Sequence, residues 1–295
     1  MLKRIQKLSL HVANQIAAGE VVERPSAVVK ELIENSLDAK ASQISIDIEK
    51  GGTRLIRIRD NGVGIHVDDL PLAVDRHATS KIVKAEDLTS VVTLGFRGEA
   101  LASISAVSRF TLFSNATDEA QGWQVSGQGE EMQLTLQPVA HLRGSTVEVR
   151  DLFFNVPARK KFLKTERTES KHIEQLVQRL ALSHFSVGFK LSIDGKEIYH
   201  FKPADDQPSM QKRVQKILGE HFAADAYFLD IHGVGIRLWG WVGKPTLSRA
   251  QADGQYFYVN GRMVRDKIIA HAVKRAFHDV MYQDRHPLFV LYLEM

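Results

Sequence analysis

Glu31, Asn35 and Asp38 are spaced so that on a helix they share one side. At 100° per residue the three fall within about 60° of one another. Val29, Leu32, Ile33 and Leu37 point broadly the opposite way. A carboxylate in such a group can orient and deprotonate water, and an amide oxygen can ligate a hard cation such as Mg²⁺. A solvated helix face would show the same spacing. Against that, Asn is disfavoured in a helix interior by several tenths of a kcal/mol relative to Ala.

A second group follows at Asp60-Asn61-Gly62-Val63-Gly64. Glycines let a ligand approach the main chain, and the Asp60 carboxylate can accept a hydrogen bond from an exocyclic amine. A simple hairpin turn is the competing reading. The chain has no G-x-x-x-x-G-K-[ST] loop, and Gly62 and Gly64 lack the third glycine of a dinucleotide fingerprint. A third group, Gly95 to Leu101, puts two glycines directly before a helix, where free N–H groups and the helix dipole favour phosphate. Upstream, Arg76-His77-Ala78-Thr79-Ser80-Lys81 adds cations and hydroxyls. His77 has no second ligand at a metal-binding spacing. An ordinary loop and helix cap would fit this region too, but the whole polar stretch is long enough to be a lid.

Pro25 predicts a helix start, with the helix over 26–39, and strands are expected at 44–48 and 55–59 around Gly51-Gly52. A helix is expected over 67–75 and another over 99–105. Strands follow at 109–114, 123–126, 132–137 and 146–150, then a helix at 168–184 and a hairpin around Asp194-Gly195. An early helix is placed at 11–18. The stretch 202–208 is polar with two prolines and marks the expected domain boundary. Beyond it come a helix at 210–218, strands near 227–231, 235–242 and 256–259, a helix at 266–281 and a strand at 288–293. Both halves mix helices with mostly antiparallel strands, an α+β pattern.

The chain has 295 residues, enough for two domains. It is 44% hydrophobic and 25% charged, which suits packed cores. The absence of cysteine excludes disulfides, thiolate zinc sites and cysteine nucleophiles. No apolar run approaches a membrane span and no leader pattern opens the chain, so a soluble intracellular protein is expected. The formal charge of +4 is compatible with DNA without pointing to it.

Taken in order, ELIENSLDA, DNGVGI, RHATSK, GFRGEAL and GSTVEV resemble the motifs of the superfamily that joins gyrase, heat-shock chaperone, histidine kinase and MutL ATPases. The longer runs AAGEVVERPSAVVKELIENSLDA, GFRGEALASI and YVNGRMVRD are similar specifically to the MutL-type mismatch-repair family, and the resemblance covers nearly the whole chain. It implies a Bergerat-type ATP-binding α/β sandwich at 1–206. A smaller α+β transducer domain like domain 2 of ribosomal protein S5 follows at 207–295. It also implies that Glu31 is the general base, that Asn35 is the Mg²⁺ ligand and that Asp60 binds adenine with Gly62 and Gly64 beside the base. Asp38, Thr79, Ser80, Lys81, Gly95, Phe96, Arg97, Gly98, Glu99, Ala100 and Leu101 join the nucleotide site. Ser145 stands where the family usually has Thr. The expected cofactors are ATP and Mg²⁺.

Family members continue into a D-V-N-V-H-P-x-K segment whose lysine reaches the γ-phosphate. This sequence stops short of it and is expected to be a fragment with impaired, slow turnover. The resemblance further implies lid closure, ATP-dependent self-dimerisation, and coupling to a mismatch-recognition protein and a downstream nuclease or helicase. A cytoplasmic, nucleoid-associated bacterial location goes with these. Two basic sets are candidates for sequence-tolerant phosphate contacts with DNA: Arg159, Lys160, Lys161 and Lys164, and Arg262, Arg265, Lys267, Lys274 and Arg275. The rival readings are a nucleotide-independent DNA scaffold, and a topoisomerase or kinase; GFRGEAL argues against the last two.

Overall fold

The computed structural model describes residues 22–75, 78–79, 98–127, 134–281 and 285–295. The expected helix at 11–18, with Arg76, His77, Ser80, Lys81, Gly95, Phe96 and Arg97, lies outside those residues. Two compact units form. One takes the chain up to Val177 together with Val187–Lys202; the other takes Gln178–Ser186 together with Pro203–Met295.

Helix α1 spans Pro25–Asp38, with Pro25 in its first turn and Arg24 extended at the N-cap. Proline suits that place because its missing N–H would have no helical partner. Val28, Val29, Leu32 and Ile33 are buried. The helix ends where Lys40 turns left-handed (φ 60°). The Lys40 N–H donates to Leu37 O and the Ala41 N–H to Ser36 O, the paired bonds of a Schellman end, with lysine in the position glycine usually fills.

Strands β1 (Gln43–Glu49) and β2 (Leu55–Asp60) follow as an antiparallel pair. Where one helix was expected over 67–75, the structure has two short 3₁₀ turns, Val67–Asp69 and Leu72–Val74. Pro71 stands between them; it lacks an N–H and its ring would clash with a helical carbonyl, so the α-helix cannot run through. Helix α2 (Ala100–Ala106) leads into β3 (Arg109–Asn115), β4 (Gln121–Gly127), β5 (Thr135–Ala140) and β6 (Gly144–Arg150). β5 begins later than the expected 132–137 and carries Pro138, which an edge strand tolerates. Then come α3 (Pro157–Phe162), α4 (Glu166–Ser183), β7 (Gly188–Ile193) and β8 (Lys196–Phe201).

The eight strands form one sheet in the order β5-β4-β3-β6-β2-β1-β7-β8, antiparallel except where β1 meets β7. Alternate residues Ile44, Ile46, Ile48, Ile56, Ile58, Phe110, Leu112, Val149 and Leu191 are buried. Each is worth about 1.5–3 kcal/mol out of water. The opposite parity is polar: Arg57 and Arg150 both pair with Glu148, at 2.7 and 2.9 Å. The apolar core of this unit therefore lies on one face of the sheet, and β2 ends at Asp60 beside the C-terminal half of α1.

The second unit holds α5 (Gln207–Leu218), α6 (Glu220–Asp225), β9 (Ala226–Gly233), β10 (Ile236–Gly243), β11 (Ser248–Arg249), β12 (Gln255–Val259), β13 (Arg262–Met263), α7 (Lys267–Ala276), β14 (His286–Pro287) and β15 (Phe289–Glu294). Its main sheet runs β13-β12-β15-β10-β9. Trp241, Tyr256, Tyr258, Tyr292, Phe185 and Phe222 dominate the core. A buried hydroxyl is costly to leave unpaired, and here two hold the end of α4: Tyr258 donates to Arg179 O and Tyr292 to Leu182 O. Arg213 donates to Ala181 O and His184 O, and burial brings its pKa down to about 10. The bonds to Ala181, Leu182 and His184 reach carbonyls that a helix end leaves without partners.

Candidate active site

The Asp60 carboxylate is buried at the end of β2, and three donors fix it. Ser36 Oγ donates to Oδ2 at 2.9 Å; the Gly62 and Ser145 N–H groups donate to Oδ1 at 2.9 and 3.2 Å. An ionised carboxylate offers about four acceptor positions. Among the described residues three are filled, and one on Oδ2 is left for an outside donor.

Ser145 Oγ and Ser114 Oγ lie 2.9 Å apart, and Ser114 accepts from the Ile65 N–H at 2.8 Å. The loop after Asp60 is not a hairpin turn, because β2 pairs with β1 and β6 and the chain leaves the sheet. Asn61 acts as a clamp: the Ser42 and Gln43 N–H groups donate to its Oδ1, and its Nδ2 donates to Ser42 Oγ. The Val63 N–H donates to Ala39 O. Gly64 has φ 73°, and a Cβ there would sit against the Asn115 carbonyl. A Cβ on Gly62 would come within 2.6 Å of Ala39 O. The backbone around Asp60 is thus packed too closely for side chains and bonded almost everywhere, which pre-forms the site.

Along α1, Glu31, Asn35 and Asp38 are half-buried, as the helical spacing predicts. Lys30, Glu34 and Ser36 join them unforeseen. Lys30 Nζ lies 3.2 Å from Glu31 Oε1 and 2.6 Å from Glu34 Oε2. Burial pushes the Glu34 carboxyl up; Lys30 opposes this, and the charges of Glu31 and Asp38 add to it. Lys30 is held above its usual value: burial lowers it, but its contacts with Glu34 and Glu31 outweigh that. The edge is therefore rich in hard oxygen donors. Among the described residues no group of three or more His, Asp or Glu could hold a metal unaided. That donor set fits Mg²⁺, which binds through one or two protein oxygens, keeps waters and takes the rest from phosphates.

Gly98 (φ 63°) lies directly on the Ala78–Thr79 backbone, where a Cβ would meet Ala78 O at 2.7 Å. The structure so brings Thr79 to the glycine before α2. Glu99 is the N-cap of α2, with Ala100 and Leu101 in its first turn, all three half-buried. Of the basic residues, Arg159 is half-buried and donates to Val22 O, while Lys160, Lys161 and Lys164 are exposed. In the second unit Arg262, Arg265, Lys267, Lys274 and Arg275 are exposed.

Ser36, Ser114 and Asn61 escaped the sequence reading because they act across 24, 31 and 19 residues. The only local signal was a serine on the inward side of an otherwise apolar helix stripe.

Residues 23–139 match the family model for histidine kinase-, DNA gyrase B- and HSP90-like ATPases. Residues 214–295 match that for the C-terminal domain of DNA mismatch repair proteins. The chain is 56% identical over 294 residues to the DNA mismatch repair protein MutL of Cellvibrio japonicus, covering 100% of this chain and 47% of that protein. It is 57% identical to the Pseudomonas entomophila MutL, covering 99% of this chain and 46% of that one. It thus spans about half the length of these curated relatives. Among solved structures, the Aquifex aeolicus MutL ATPase domain complexed with ADP is similar at 35% identity and a TM-score of 0.67, with 93% of each chain covered. The N-terminal domain of a DNA repair protein is similar at 25% identity and a TM-score of 0.77, covering 96% of this chain and 86% of that one.

Proposed function

The chain belongs to the MutL family of DNA mismatch-repair proteins and carries its ATPase part, with a Bergerat-type fold followed by an α+β unit; from this we propose that the first unit binds ATP with Mg²⁺ at the Asp60–Glu31 site and hydrolyses it. The observation that carries the reading is the Asp60 carboxylate, locked by three donors with one acceptor position left.

An adenine amine fills that position, with Gly62, Gly64 and Ser145 around the base. Guanine has a carbonyl at the same place and would leave two acceptors facing each other, so the site discriminates. Glu31 takes the proton of the attacking water. Asn35 would hold Mg²⁺, with Asp38 beside it; the ion supplies charge neutralisation at the phosphates. Thr79, Ser80, Lys81 and the segment Gly95, Phe96, Arg97, Gly98, Glu99, Ala100 and Leu101 cover the phosphates. Lys30 keeps Glu31 and Glu34 from repelling each other in the resting site.

Closure of that cover drives self-dimerisation, and the second unit, read as the transducer from residue 207, passes the nucleotide state to a mismatch-recognition protein and a downstream repair nuclease or helicase. The two basic sets contact DNA phosphates without sequence preference. A cytoplasmic, nucleoid-associated setting follows from those partners. No described helix is long and apolar enough to cross a membrane.

Competition binding tests the core of this reading. A labelled ATP analogue should bind, more tightly with Mg²⁺ than without, and ATP should displace it where GTP does not. Equal displacement by GTP refutes the adenine role of Asp60. Absence of nucleotide binding favours a nucleotide-independent DNA scaffold.

A further inference from the structure

Phe162 closes α3 with 83% of its surface exposed. A Phe left in water forgoes about 1.5–3 kcal/mol of burial. A single exposed apolar residue needs no explanation, but this one has particular surroundings. Lys160, Lys161 and Lys164 are exposed on either side of it, and none has an ion-pair partner among the described residues. The nearby Phe154 differs: its ring lies under the Arg109 guanidinium at 5.1 Å. Phe162 has no such ring or cation contact among the described residues.

The segment carrying Phe162 is held at both ends. Arg159 is anchored on Val22 O at 2.9 Å, and the Lys164 N–H donates to Glu169 Oε1 at 2.9 Å. Asn155 donates to Ala106 O just before the helix. The ring is thus presented on a fixed backbone rather than on a loose loop. A rigid exposed aromatic face among unpaired ammonium groups is the arrangement that binds unpaired nucleic acid: the base stacks, and the cations take the adjoining phosphates. A duplex offers phosphates but no free base face.

We infer that Phe162 is a stacking platform for an unpaired DNA base, with Lys160, Lys161 and Lys164 holding the neighbouring phosphates. This rests on the DNA reading of the same basic segment and adds a preference for single strands over duplex.

The test measures affinity of the whole chain for a thymidine oligomer of about 20 nucleotides and for a duplex of the same length, by anisotropy at low salt. Phe162→Ala should weaken the single strand about tenfold and leave the duplex within about twofold; Phe162→Trp should restore the single strand. The double variant Lys160→Glu, Lys161→Glu should weaken both and lower the salt dependence. If that double variant acts as expected while Phe162→Ala changes nothing, or weakens strand and duplex alike, stacking is wrong and the DNA reading stands. If neither variant changes binding to either DNA, the DNA reading of this segment fails and the inference falls with it. Loss of binding to phosphatidylserine vesicles without loss on DNA would assign the ring to a lipid surface and overturn the inference. Phe162, Lys160 and Lys161 are exposed, so these variants leave the core intact.

Discussion

At Asp60 three donors among the described residues converge on one carboxylate and leave a single acceptor position. Asp60→Asn replaces an acceptor oxygen by an N–H₂ group. We expect ATP affinity to fall about 5- to 150-fold, the equivalent of roughly 1–3 kcal/mol for a buried mismatch. Ser36→Ala removes one bond that orients the carboxylate and should cost less, below about tenfold. Calorimetric titration of both variants checks this; a Ser36→Ala loss larger than that of Asp60→Asn would contradict it. Glu31, Asn35 and Asp38 were legible because helical spacing alone gathers them on one side. Of the Asp60 partners, Gly62 and Ser145 were named through the resemblance, but Ser36 was not, since a hydroxyl on α1 has no sequence pattern that joins it to the end of β2. The inward turn of Glu34 was equally hidden: a carboxylate next to a polar face looks solvated until Lys30 is seen to cover it.

The loop after β2 shows why an element is more than its residues. Each of Asn61, Gly62, Val63 and Ile65 makes a bond to a different neighbour: the start of β1, Asp60, the end of α1 and β3. Gly64→Ala would combine a left-handed backbone with a Cβ against the Asn115 carbonyl. The expected cost is about 2–4 kcal/mol, from the αL penalty plus local displacement, read as a lowered urea midpoint together with weakened nucleotide binding. An unchanged midpoint would mean the loop is not fixed as described. The sequence showed the glycines but not their contacts, so on the loop alone a hairpin was the favoured reading. Strand alternation was legible for β1, β2 and β6, and helix period for α1 and α4. The stretch 67–75 misled because its apolar spacing is helical while Pro71 cuts it into two turns. The start of β5 was misplaced because an exposed edge strand lacks the alternation that marks buried ones.

For the whole molecule, the family and fold class were legible through the ordered motifs, whereas the allotment of Gln178–Ser186 to the second unit was not. The amphipathic pattern of α4 runs on unbroken, and only the tyrosine hydroxyls and Arg213 reveal which unit holds its end. That end carries a pH dependence. His184 has Nδ1 near Leu180 O, and burial holds its pKa below the ordinary imidazole value. The unfolded chain therefore binds the proton more readily, so stability is full above about pH 6.5 and falls as pH drops toward the lower folded value. His141 acts in the same direction. The unfolding midpoint, followed by tryptophan fluorescence, should drop as pH falls below about 6.5, and less steeply in His184→Gln; a flat or rising profile contradicts this. Turnover is likewise a property of the assembled whole, and it tests the central claim most directly. ATP binding and ATP hydrolysis should be measured side by side for the parent chain and Glu31→Ala. A general base contributes little to ground-state affinity, so Glu31→Ala should bind ATP within about twofold of the parent while turnover falls by about 10²–10⁴. Retained turnover in Glu31→Ala, or loss of binding as large as that of Asp60→Asn, would contradict the account.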